Sequence, residues 1–85
     1  MEGILVELYK LKYPIEWDGE TVTEIEISRP KGKHIKKMGS DANLGSLLGI
    51  AALVTKFTPR FFDELDSSDY VGVGEVIGGF FVDGQ

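Results

Sequence analysis

The sequence predicts an α+β domain in which an N-terminal β-hairpin is followed by three to four short α-helices. Three observations carry this reading. Ile4 to Ile15 and Thr21 to Ser28 are both rich in β-branched, aromatic and leucine residues, with Trp17-Asp18-Gly19 between them. From Leu44 onward the apolar residues recur at helical spacing instead. Proline, glycine and serine then punctuate the second half into short segments. At 85 residues the chain suffices for one domain, 1–85, with the hairpin over 4–28 and a helical part over 33–82.

Strand partners share a face, so the side-chain pattern constrains the hairpin register. A two-residue turn at Asp18-Gly19 would set Ile25 against Lys12 and waste an apolar face. A three-residue loop of Trp17, Asp18 and a left-handed Gly19 pairs Tyr9 with Ile27, Leu11 with Ile25 and Tyr13 with Thr23. This second register is the expected one. It turns Val22, Glu24 and Glu26 outward, opposite Pro14, Lys12 and Lys10, with two cross-strand ion pairs.

Arg29-Pro30 ends the second strand, because proline has no N–H for a ladder, and Lys33 to Met38 follows as a short helical turn stopped by Gly39. Ser40 or Asp41 is placed to cap a core helix bearing Leu44, Leu47, Leu48, Ala51, Ala52 and Val54. Thr58-Pro59 opens a brief helix through Leu65, with threonine as N-cap and proline at the first helical position. Asp66, Ser67 and Ser68 start the last helix, whose apolar face is Val73, Val76, Ile77 and Phe80. Six glycines, at positions 45, 49, 72, 74, 78 and 79, fall inside these helices, and each costs about 0.8–1 kcal/mol against alanine. Either they allow close helix approach, or the last helix is completed by a partner.

Composition removes whole classes of function. There is no cysteine, so neither disulfides nor thiolate chemistry nor cysteine-based zinc sites are available, and a reducing compartment fits. Met1-Glu2-Gly3 carries an acid where a secretory signal carries a base, so no export is expected. The longest apolar run, Leu47 to Val54, is far short of the ~20 residues of a membrane span. A net charge of -5 opposes a phosphate backbone.

The remaining motifs read as structure. Val71 to Gly78 resembles a dinucleotide-binding loop only superficially, because Ile77 stands where the third glycine belongs. The acidic run Asp63 to Asp69 is interrupted by Leu65 and suits helix capping better than calcium ligation. His34, the single histidine, sits among lysines, and no carboxylate pair lies in an apolar setting, so no catalytic residue, cofactor or metal is assigned and the chain is not read as an enzyme. Arg29, Lys31, Lys33, Lys36 and Lys37 are five of nine bases, while positions 61–85 hold six acids and no base. The basic turn lacks interleaved aromatics and reads as a solvated face, not a nucleic-acid site.

The apolar surplus is the functional lead. Ile4, Val6 and Leu8 occupy the strand face opposite Tyr9 and Leu11, which makes the first strand apolar on both sides and open to self-association. Phe62, Tyr70, Phe80 and Phe81 are the aromatic candidates for partner contact. All seven are candidate partner-binding residues.

Leu11-Lys12-Tyr13-Pro14-Ile15, the stretch Asp18 to Ile25 and Arg29-Pro30-Lys31-Gly32-Lys33 together resemble the N-terminal pattern of the small Mu-like and P2-like phage tail assembly chaperones. Phe62 to Asp66, Ser68-Asp69-Tyr70 and the closing Phe80-Phe81 are similar to that family's last helices. The resemblance departs at His34, where the family commonly has an acid, and in the glycines of 72–79. It implies a non-catalytic phage or prophage helper, working in the host cytoplasm, that binds the tape measure protein and aids assembly of the tail tube protein around it. Alternative readings are a structural tail or head completion protein kept in the virion, and a small nucleic-acid-binding regulator.

Overall fold

The computed structural model describes residues 6–38 and 43–82. β1 (Val6–Trp17) and β2 (Glu20–Ser28) form a two-stranded antiparallel sheet. The helices α1 (Gly32–Met38), α2 (Leu44–Leu53), α3 (Pro59–Asp63) and α4 (Ser67–Val82) follow. This is the expected α+β arrangement, with four helices.

The hairpin register differs from the expected one. Asp18 and Gly19 have φ of 54° and 83°, both left-handed, which makes a two-residue turn whose twist matches that of the strands. Trp17 pairs with Glu20 and Ile15 with Val22, so Trp17 belongs to the strand and not to a loop. Beyond the turn the register shifts: Lys10 pairs with Glu24, Tyr9 with Ile25 and Glu7 with Ile27. The segment from Leu11 to Pro14 bulges to absorb the difference. The expectation assumed one register for the whole hairpin. Pro14 cannot donate to a ladder, and a bulge there lets each half of the hairpin keep its own apolar match. As a consequence Val22 is buried against the core beside Ile15, not turned to solvent, and Lys10, not Lys12, faces Glu24.

The helix signals hold with local corrections. The N-cap of α2 is Asn43, whose Oδ1 accepts a 2.9 Å hydrogen bond from the Ser46 amide, so neither Ser40 nor Asp41 caps it. Ser40, Asp41 and the Gly39 stop lie outside the described residues. α2 ends at Leu53, with Val54 at its C-cap. Thr58 is the N-cap of α3 with Pro59 just inside it, and that helix ends at Asp63, before Leu65. At the start of α4, Asp66 Oδ2 accepts from the Ser68 amide at 3.0 Å and the Ser68 hydroxyl at 2.8 Å.

α2 and α4 pack together, and α4 also lies on β1. Ile25, Ile27, Leu48, Ala51, Val73 and Ile77 close the core between hairpin and helices, and Ile50, which the helical pattern missed, is buried with them. Leu44, expected in the core, is partly exposed at the first turn of α2. α3 adds an aromatic cluster: Phe57 stacks on Phe61 at 3.9 Å, and Trp17 and Phe62 meet Phe61 edge-on at 5.5 and 5.3 Å.

Candidate partner-binding surface

The bulge in β1 has a partner. Its two successive amides, of Lys12 and Tyr13, point the same way and donate to the two carboxylate oxygens of Asp69 at 2.9 and 3.0 Å. The Tyr9 hydroxyl donates to Asp69 Oδ1 at 3.0 Å. Asp69 is 0 % exposed, lies in the first turn of α4, and so ties that helix to the irregular part of the sheet. Burial, with help from the bond to Asp69 and the negative charges of Asp69 and Glu75, pushes the Tyr9 hydroxyl above the ordinary tyrosine pKa. Among the described residues no buried side-chain polar atom lacks a partner.

Gly72 and Gly74 show what two of the helix glycines do. A Cβ on Gly72 would fall on the Tyr9 ring and hydroxyl, and one on Gly74 would meet the Leu44 side chain. Close approach is therefore the reason for these two. Gly49 and Gly79 face open space, and no contact explains them.

At the far end of α4, Arg29 reaches across from the end of β2. Its Nη2 donates to the Phe80 carbonyl at 3.3 Å, and its guanidinium stands 5.3 Å from the centroid of the Phe80 ring. Val6 pairs with Ser28, the neighbour of Arg29, so the beginning of β1 and the end of α4 meet at one end of the molecule. Val6 and Leu8 are 51 and 53 % exposed on the outer face of the hairpin, as the two-sided strand pattern predicts. Phe80 is half-buried at the end of α4, where it packs against the core and meets Arg29. Tyr70 is half-buried at the opposite end of α4, next to Asp69, and is not brought together with the others. Phe62, at 2 % exposure, is a core residue of the aromatic cluster. Ile4 and the side chain of Phe81 lie outside the described residues.

Besides Leu44, sequence reasoning missed three exposed apolar side chains, Tyr13, Leu53 and Val71. Tyr13 is exposed because it sits in the bulge, and only the neighbouring Pro14 hinted at that. Lys31, Lys33 and Lys36 are exposed, whereas Arg29 is engaged with Phe80. His34 Nδ1 accepts from the Lys31 amide at 2.9 Å at the start of α1, a local structural use. Among the described residues no group of three or more His, Asp or Glu side chains is placed to hold a metal ion, and no helix is long and apolar enough to cross a membrane.

The geometry defines a small α+β domain in which Asp69 and Tyr9 hold the hairpin to a helix while Val6, Leu8, Leu53 and Val71 leave aliphatic side chains exposed. The chain belongs to the phage tail assembly chaperone family, described as "Phage tail assembly chaperone proteins, E, or 41 or 14", whose pattern it matches over residues 8–82. Its role is accordingly in phage tail assembly, among phage tail proteins. No curated protein and no solved structure matches the chain.

Proposed function

We propose that this chain is a non-catalytic chaperone of the host cytoplasm that binds the tape measure protein of its phage or prophage and keeps it competent for assembly of the tail tube protein around it. Family membership supports the setting. The observation that carries the contact surface is the exposure of the aliphatic side chains Val6 and Leu8 on the outer face of the first strand. Ile4 and Phe81 extend the same two segments in sequence. Exposed aliphatic side chains suit the apolar stripe of a helical partner, and aromatic anchors dominate interface energies. The net charge of -5 holds the free protein in solution despite this surface. Tyr70 and Phe62 contribute by supporting α4 and the core.

Coexpression with the tape measure protein tests the reading. The soluble yield of that protein should rise with the chain present, and Val6→Ser/Leu8→Ser or Phe81→Ser should reduce the rescue while leaving the chain's own melting temperature within a few degrees. No change in solubility on coexpression would refute the reading. Recovery of the chain in purified virions would favour a structural component instead.

A further inference from the structure

The free edge of β2 offers a second, different kind of contact. The Ser28 amide donates to the Val54 carbonyl at 3.1 Å, so it points away from β1. In an antiparallel ladder the outward-pointing residues alternate along the strand. Ser28, Glu26 and Glu24, paired with Val6, Leu8 and Lys10, are therefore the residues of β2 whose N–H and C=O groups face outward. The segment after α2 covers this edge at Ser28. Among the described residues no hydrogen bond outside the hairpin reaches the backbone of Glu24 or Glu26.

Those two residues form one wall of a groove of about 680 Å³. Leu53 and Phe57 supply apolar lining, and Arg29, Lys31, His34 and Lys56 line it as well. An open edge beside apolar side chains is what an added strand requires: main-chain bonds hold it, and alternate side chains fill the groove. The wall that hydrogen-bonds is acidic, so the side chains that would flank Glu24 and Glu26 must be basic, and those alternating with them must be apolar.

We infer that β2 accepts an extended protein segment in which lysine or arginine alternates with aliphatic residues, adding a third strand along Glu24 and Glu26. This inference does not rest on the tape measure reading, because it uses a different surface.

The test is nuclear magnetic resonance titration of the full chain with an acetylated, amidated Val-Lys-Val-Lys-Val peptide, against the matching Val-Glu-Val-Glu-Val peptide. The expected result is saturable shifts of the Glu24 and Glu26 amides with the lysine peptide, slowed exchange of both, and at least tenfold weaker binding of the glutamate peptide. Glu26→Pro removes an outward donor that the hairpin does not use, and should weaken binding at least tenfold with the Tyr9 to Ile25 cross-strand contact retained. Should that variant lose its hairpin, Glu24→Lys/Glu26→Lys replaces it and should reverse the peptide preference. Shifts confined to other residues, equal binding of both peptides, or an unchanged preference in the charge-reversed variant would each overturn the inference. So would protection of the Glu24 and Glu26 amides in a dimer without peptide, which would make a second copy the occupant.

Discussion

Asp69 accepts a 3.0 Å hydrogen bond from the hydroxyl of Tyr9, sixty positions earlier in the chain, while its two oxygens also hold the Lys12 and Tyr13 amides. One buried carboxylate thus satisfies the donors that the register shift frees from the ladder. Without it, the bulge would leave two amides facing the start of α4 unpaired, and an unpaired buried donor costs about 1–3 kcal/mol.

Asp69→Ala should therefore destabilise the domain by about 3 kcal/mol or more, measured by urea denaturation. Tyr9→Phe removes only one of the three donors and should cost about 1–2 kcal/mol. Asp69→Asn, which can present an acceptor to one amide but sets its own N–H₂ against the other, should fall between them. Equal stability of wild type and Asp69→Ala would show that the bulge does not depend on the carboxylate.

The glycines separate into two groups by the same measurement. Gly72→Ala should destabilise by about 1–3 kcal/mol, since the new methyl group must displace Tyr9, an overpacking cost larger than the helix-propensity gain. Gly79→Ala meets open space and should stabilise by up to about 1 kcal/mol.

Alkaline and acid titration should affect stability through different groups. The Tyr9 hydroxyl is raised above its unfolded value near 10, so its contribution is intact below that pH and is lost as pH rises through the folded value. The melting temperature should fall above about pH 10, and less steeply in Tyr9→Phe. Bonds from the Ser68 hydroxyl and amide lower the exposed Asp66 carboxyl. Its contribution is present above the unfolded value and is lost as pH falls below about 4, and Asp66→Asn should blunt that part of the acid limb.

Cross-strand nuclear Overhauser effects should join Tyr9 with Ile25 and Ile15 with Val22. A Leu11 to Ile25 pairing would restore the uniform register with a three-residue loop.

The candidate surface was partly legible in the sequence. Val6 and Leu8 declared themselves because a strand with apolar residues on both faces can bury only one against its own core. Phe62 did not, because a pair of adjacent phenylalanines in a short helix offers no periodicity to tell inside from outside. Arg29 read as one member of a basic run, and its contact with Phe80 depends on a meeting of segments 51 positions apart.

By itself the sequence determined the hairpin and the start signals of the later helices, because turn propensity, capping chemistry and hydrophobic periodicity act over a few residues. Thr58-Pro59 and Asp66-Ser67-Ser68 needed no distant partner to begin a helix. Only the tertiary structure decided the register. Pairing choices within a hairpin differ by small local energies, whereas burying Asp69 opposite Lys12 and Tyr13 is worth several hydrogen bonds to a charged group. The same holds for Gly72, whose missing side chain has a reason only once Tyr9 lies across it.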